Sequence, residues 1–132
     1  MSASMPEDVT THPDLPVPAT YKACVLRDPG RLTYEEKPMK VPGPAEVLVH
    51  IDAIPVCATD FEIIVHGPPA LIEGSPPFNK GFTPGHEHMG TVMALGPGVD
   101  ELAVGDRVTV EIHAGCGRCK RCRECMYTAC TN

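Results

Sequence analysis

Cysteine is concentrated in the last part of the chain, where its spacing indicates metal chemistry. Five of the seven cysteines fall within positions 116–130. Thiolates are soft, strong ligands, and four of them satisfy tetrahedral Zn²⁺. A site closed by four sulfurs leaves no position for a substrate. The spacing therefore predicts a structural metal lobe, and the chemistry of the protein should reside elsewhere in the chain.

Two other uses of these cysteines are open. Those in the stretch 116–125 form an even repeat reminiscent of an iron–sulfur ligand string, although the bacterial string has three residues before its last cysteine and a proline after it. Disulfide frameworks are usually cysteine-dense throughout, whereas positions 1–115 hold only Cys24 and Cys57. We therefore favour zinc over both alternatives.

Basic residues separate the cysteines of this lobe, and their presence can be explained in two ways. Positive charge favours the thiolate over the thiol and offsets the excess negative charge of a four-thiolate site. Nucleic-acid binding is the competing explanation, but the chain carries a net charge of -6 and no aromatic residue lies between the basic ones to stack on bases. We predict no nucleic-acid partner. The basic residues are Arg118, Lys120, Arg121 and Arg123.

A second set of chemically capable residues lies in two short segments, Cys-Ala-Thr-Asp at 57–60 and Gly-His-Glu at 85–87. Taken singly, such residues are ordinary, because an isolated cysteine is usually a small buried hydrophobe. A thiolate together with an imidazole, however, suits Zn²⁺ better than Mg²⁺ or Ca²⁺. The pair Cys57 and His86 is therefore a candidate for a second metal site.

Taken together, these motifs resemble the amino-terminal catalytic domain of the zinc-containing medium-chain alcohol dehydrogenases. That family carries a Cys-x-[Ser/Thr]-Asp segment, a Gly-His-Glu segment and a structural lobe whose cysteines are separated by two, two and seven residues. The resemblance extends over roughly residues 20–132. It marks Cys125, where the family commonly has glycine, as the spare thiol. The lobe ligands that it implies are Cys116, Cys119, Cys122 and Cys130.

The resemblance also implies a role for each residue of the two short segments. Cys57 and His86 would hold a catalytic zinc, with Glu87 either a nearby charge or an exchangeable ligand. Thr59 would hydrogen-bond the alcohol and begin the relay of its proton to solvent, although a threonine here could instead be a helix N-cap. Asp60 would orient His86 through its second ring nitrogen.

By this resemblance the chain is the catalytic-domain fragment of an alcohol or polyol dehydrogenase, which oxidises a small alcohol with hydride transfer to NAD or NADP. The nucleotide-binding domain would lie outside the 132 residues, and no Gly-x-Gly-x-x-Gly motif follows a strand in them. We expect the isolated fragment to be inactive and the complete enzyme to be a homo-oligomer. The alternative is a non-catalytic, zinc-binding GroES-like interaction module, which would have no use for the segments 57–60 and 85–87 together.

The composition predicts a β-rich domain over residues 19–132. Fifteen prolines and twelve glycines divide the chain into short pieces and leave little room for long helices. One short helix is predicted over 59–66. The family would make these elements a mainly β, GroES-like distorted β-barrel with a short helix and a zinc-binding lobe. Four stretches of alternating apolar residues are predicted to be strands: 21–26, 46–51, 90–95 and 107–112.

The first eighteen residues differ in character from the rest. Residues 1–18 contain four prolines and no apolar run, which predicts a flexible N-terminal arm. No stretch approaches the ~20 apolar residues that span a membrane, and no secretory signal pattern is present. These absences, together with thiols suited to metal binding, predict a cytoplasmic protein without a membrane partner.

Overall fold

The computed structural model describes residues 4–70, 73, 81–113 and 115–131, and strands dominate it. This confirms the prediction of a mainly β chain. In chain order the elements are β1 (Thr10–Thr11), β2 (Thr20–Asp28), β3 (Arg31–Pro38), β4 (Val47–Ala53), α1 (Ala58–His66), β5 (Met89–Leu95), β6 (Arg107–Thr109), α2 (Lys120–Arg123) and a 3₁₀ turn (Tyr127–Ala129).

Two antiparallel sheets are formed by these strands. β5 is the centre of the larger sheet: β4 runs along it, and β1 and β6 pair with its two ends. β2 and β3 form a separate hairpin, which is joined to the segment before β5 by a bridge between Leu26 and Phe82. Over the part of the chain that the structure describes, the sheets do not close into a ring, so the predicted barrel is open.

The buried side chains lie in β2, in β5 and in the N-terminal segment. Val25 and Val92 are fully buried, and so are their neighbours Leu26 and Met93, so both faces of these strands are covered at this point. Burying side chains of this size stabilises the fold by about 1.5–3 kcal/mol each. β5 is therefore a rigid base for the residues that precede it, including the segment 85–87.

The N-terminal segment contributes to this core, which differs from the flexible arm expected over 1–18. Val9 and Val17 are buried against Met93 and Ala94, and β1 pairs with the last two residues of β5. The apolar residues of the segment are isolated by prolines and acids, so no periodicity revealed their burial. Packing against β5 supplies the order that the local sequence does not.

The other predicted elements are close to those observed. α1 spans residues 58–66, as predicted to within one residue, and three of the four predicted strands match β2, β4 and β5. The strand predicted over 107–112 is wrong in its second half, since β6 ends at Thr109. No helix in the portion described by the structure is long and apolar enough to cross a membrane.

Candidate metal centres

α1 begins at Cys57, and the start of the helix arranges the first candidate centre. Cys57 is the N-cap in an extended conformation, and its backbone N–H donates to Asp60 Oδ2 at 3.1 Å. This is one half of a capping box, in which the third helical residue bonds back to the cap. The carboxylate of Asp60 is thereby held beside the cysteine. Thr59 lies in the first turn, so it is not the N-cap.

The Gly-His-Glu segment reaches the same carboxylate from the other side. Gly85 adopts a φ of 104°, which favours glycine, and its N–H donates to Asp60 Oδ1 at 3.0 Å. A Cβ at this position would also lie 2.8 Å from Ile54 Cγ2. Only glycine therefore fits this turn, which presents His86 to the start of α1.

His86 is held at both ring nitrogens. Its Nδ1 lies 3.1 Å from Asp60 Oδ1, and its Nε2 lies 3.3 Å from Cys57 Sγ. Asp60 is only 3% exposed. Because a carboxylate accepts hydrogen bonds, this contact places the proton of a neutral His86 on Nδ1 and leaves the Nε2 lone pair directed at the thiol.

The ionisation of Asp60 supports this arrangement. Burial by itself would raise its pKa, but the N–H groups of Cys57 and Gly85, together with His86, outweigh burial and lower the pKa below its usual value. Asp60 is therefore a carboxylate at neutral pH. It is a fixed acceptor for the imidazole, and its occupied oxygens leave it unsuited to take up a further proton.

Glu87 completes a three-donor cluster. Its Oε1 lies 3.8 Å from His86 Nε2, and its side chain is 52% exposed. One donor atom from each of Cys57, His86 and Glu87 lies within 4.8 Å of the others. Sulfur, nitrogen and oxygen in one such set are suited to a first-row cation such as Zn²⁺. Thr59 is outside this cluster; it is exposed and lines a surface pocket along α1.

The second candidate centre is the cysteine lobe. The four sulfurs of Cys116, Cys119, Cys122 and Cys130 lie within 4.8 Å of one another, and Cys125 is exposed outside this group. None of the seven cysteines is in a disulfide. Backbone N–H groups point at the cluster sulfurs, as the amides of Cys119 and Cys122 do at 3.4 Å. The lobe thus presents four thiols to a common centre.

Comparison with known proteins relates this geometry to a family. The family model of the alcohol dehydrogenase GroES-like domain matches residues 43–132, a range that contains both clusters. The chain belongs to this family. The open, mainly β architecture described above is therefore that of a GroES-like domain.

Individual relatives agree with this assignment. L-threonine 3-dehydrogenase of Pyrococcus horikoshii is 42% identical over 91 residues, which cover 69% of this chain and 25% of the relative. Sorbitol dehydrogenase of Bacillus subtilis is 35% identical over 114 residues, or 86% of this chain and 31% of the relative. A crystal structure of a putative zinc-binding dehydrogenase from Sinorhizobium meliloti, bound to NADP, superposes with a TM-score of 0.69 at 31% identity and covers 86% of this chain and 31% of that one. The GroES-like domain thus spans between a quarter and a third of these dehydrogenases.

The thiols of the GroES-like domain differ in their readiness to ionise. The backbone N–H groups of Thr131 and Cys122 lower the pKa of Cys119 to about 6, whereas burial raises the pKa of Cys122 to about 12. Four thiolates this close repel one another, so a cation is needed for all of them to be ionised together. Binding of a metal at the lobe would release protons.

Cys125 occupies a backbone position that favours glycine. Its φ is 59°, and it follows α2 at the turn where the Met126 N–H bonds to the Arg121 carbonyl at 2.9 Å and the Cys125 N–H bonds to the Cys122 carbonyl at 3.0 Å. These two bonds are those of a Schellman motif, whose left-handed residue is usually glycine. The geometry therefore suits the glycine of the family pattern better than the cysteine that this chain carries.

We expect Cys125→Gly to stabilise the metal-loaded protein by about 1 kcal/mol, because the cost of a left-handed side chain is removed. Metal content should be unchanged, since the thiol lies outside the four-sulfur cluster. Cys125→Ala is the matched control, because it removes the thiol and keeps the strain. Urea unfolding and metal analysis measure both effects. Loss of metal from Cys125→Gly would contradict the ligand set.

Proposed function

We propose that this GroES-like domain is the catalytic part of a zinc-dependent alcohol or polyol dehydrogenase. It oxidises an alcohol to a carbonyl and passes a hydride to NAD or NADP, which is held by a domain outside these 132 residues. The observation that carries this proposal is the 3.3 Å contact between Cys57 Sγ and His86 Nε2, backed by the buried Asp60. The named activities of the relatives, on threonine and sorbitol, support the same reaction class.

Zinc fits the donors of both clusters. Bound by Cys57, His86 and Glu87, it would act as a Lewis acid that lowers the pKa of a substrate hydroxyl. The lobe offers four sulfurs and no open position, so its role is structural. The zinc-binding and NADP-bound solved relative supports this choice of metal and nucleotide.

Each residue in and around the first centre has a separate role in the proposed reaction. Asp60 keeps Nδ1 of His86 protonated and fixes the plane of the ring, so that Nε2 stays directed at the metal position. Glu87 supplies a negative charge, or an exchangeable oxygen, at the exposed side of the cluster. Thr59 would hydrogen-bond the alcohol and pass on its proton.

Several wider properties belong to the same proposal. The domain extends over residues 19–132, with the segment before it packed against β5. The complete enzyme is a cytoplasmic homo-oligomer that acts on a small-molecule alcohol and has neither a nucleic-acid nor a membrane partner. Reduced thiols in both clusters suit such a reducing compartment.

The test joins the 132 residues to their natural downstream sequence. We expect the zinc-loaded full-length protein to reduce NAD or NADP when a panel of secondary alcohols, polyols and amino alcohols is supplied. The 132-residue chain alone should show no turnover, because it lacks a hydride acceptor. Absence of nucleotide reduction with every alcohol in the panel would refute the proposal.

A further inference from the structure

Cys125 is a fifth thiol in the cysteine lobe, and neither metal cluster includes it. It is exposed, whereas the four sulfurs of the cluster lie together and Cys122 is only 3% exposed. The left-handed backbone of Cys125 would suit glycine better. Neither the turn nor the four-sulfur cluster therefore requires a thiol at this position.

Cys125 is close to the cluster residue Cys122 both in sequence and in space. The two form a Cys-x-x-Cys unit, a spacing that is used in thiol–disulfide redox motifs. The Cys125 N–H donates to the Cys122 carbonyl at 3.0 Å, which closes a turn between them. Residues related in this way have Cα atoms less than about 7 Å apart, and disulfides join Cα atoms about 4.4–6.8 Å apart. The backbone therefore allows a disulfide between these two cysteines.

The surroundings of Cys125 are those of a reactive thiol. A hydrogen bond to Cys125 raises the pKa of Tyr127, and the charges of Cys125 and, to a smaller extent, Cys122 act in the same direction. Both thiols therefore lie near this one side chain. Between positions 115 and 131 the chain carries four basic residues and one acidic residue. Reactive cysteines are typically exposed and in electropositive surroundings, and Cys125 meets both conditions.

We propose that Cys125 is the site at which a hydroperoxide oxidises the cysteine lobe, and that Cys122 resolves the oxidised thiol as a disulfide. Of the five thiols in the described segment 115–131, Cys125 is the one that lies outside the four-sulfur cluster and is exposed. Oxidation depends on the exposure of the sulfur, and sensor cysteines are often placed beside a resolving one. The inference rests on the structural zinc of the proposed function, but not on the alcohol reaction.

The chemistry takes place in two steps. Hydrogen peroxide transfers an oxygen atom to the Cys125 sulfur and leaves as water, so that the thiol is oxidised to a sulfenic acid and the peroxide is reduced. The Cys122 sulfur then leaves the metal and attacks the Cys125 sulfur. The S–S bond forms as the S–O bond breaks, and the hydroxide that leaves takes up a proton to become water. Three sulfurs remain for the metal, so the lobe loses its zinc and the order that depends on it.

The experiment treats the zinc-loaded full-length protein with hydrogen peroxide. A chromogenic zinc indicator follows metal release, and mass spectrometry after trypsin digestion maps the disulfides. Trypsin cuts between Arg123 and Glu124, so a disulfide between Cys122 and Cys125 appears as two linked peptides. We expect the lobe zinc to be released as this disulfide forms. A dithiol reductant with added zinc should reverse both changes.

Two substitutions of Cys125 separate the effect of the thiol from that of the backbone. Cys125→Ser keeps the strained side chain, whereas Cys125→Gly removes it. Both should bind zinc at rest, and both should lose the disulfide and the release of lobe zinc by peroxide. Cys24→Ser is the matched control, because it removes a thiol from β2 that lies outside both clusters. It should respond to peroxide as the unmodified protein does.

The outcomes distinguish this inference from the function on which it partly rests. If the unmodified protein releases lobe zinc no faster than Cys125→Ser, or if the disulfide joins another pair of cysteines, the inference is wrong and the structural zinc stands. If the lobe holds no zinc before peroxide is added, the structural zinc and the inference are both refuted. If the disulfide forms and zinc is released in a protein that oxidises no alcohol, the inference stands and the dehydrogenase assignment fails.

Discussion

Cys57→Ser and His86→Ala are each expected to abolish alcohol-dependent reduction of the nucleotide by the full-length protein. Each change removes one donor of the first cluster, where the two atoms are only 3.3 Å apart. Loss of the metal removes several kcal/mol of transition-state stabilisation, so turnover should fall by about a thousandfold or more. Steady-state kinetics and zinc analysis on the same preparations measure the loss.

The zinc count makes this prediction specific. The unmodified protein should hold two zinc ions per chain, and each variant should keep only the ion in the cysteine lobe, because the two clusters share no residue. Cys125→Ser is the matched control for Cys57→Ser, since it also removes one thiol but from outside both clusters. A Cys57→Ser protein with two zinc ions and full turnover would show that the proposed centre is not the reactive one.

Removal of metal is expected to unfold the cysteine lobe before the rest of the domain. Between positions 115 and 131, Cys122 is the single buried residue, and α2 has only four residues. So little burial cannot order the loop, and the free energy of metal binding is therefore part of its folding free energy. After chelation, amides of residues 115–131 should exchange rapidly with solvent, while those of β5 remain protected.

Single substitutions test the same point without a chelator. Cys130→Ser should lose the lobe zinc and its amide protection, whereas Cys125→Ser should retain both. Hydrogen-exchange mass spectrometry with parallel metal analysis makes the comparison. Unchanged protection of the lobe in a protein verified to lack that zinc would mean that the metal has no structural role.

The sequence predicted those elements whose signal is local. α1 could be predicted because Thr59 and Asp60 precede a run with apolar residues on one side, and β2, β4 and β5 because each contains a short run rich in apolar residues. The cysteine spacing and the two short segments indicated the residues that lie together in the two clusters of the structure. In each case the information lies within a few residues of the element itself.

What the sequence could not predict depends on contacts between distant residues. β3 escaped prediction because its apolar residues are few and exposed, as Tyr34 is at 82%. It is held instead by the ladder to β2 and by the ion pair between Arg27 and Glu35. The exposed position of that pair limits its contribution, so the hairpin depends mainly on backbone pairing.

Part of the candidate site was also beyond sequence reasoning. Asp60 was expected to orient His86, but nothing indicated that the Gly85 amide would share its carboxylate, or that Ile54 would lie against Gly85. The capping box was the one local signal available, since an acidic residue three positions after a cap commonly bonds back to it. The rest requires residues that are separated by 25 positions to meet.

The side chain of Asp60 also closes a loop, because it hydrogen-bonds both to the start of α1 and to the Gly-His-Glu turn. One oxygen accepts from the amide of Cys57 and the other from that of Gly85, so the two ends of the intervening loop meet on one side chain. The entropy of closing a flexible loop rises slowly, by about 0.6 kcal/mol for each doubling of its length. The positions of the donor atoms of Cys57 and His86 therefore depend little on the length and composition of that loop. Substitutions in that segment are therefore expected to leave the metal-binding atoms in place.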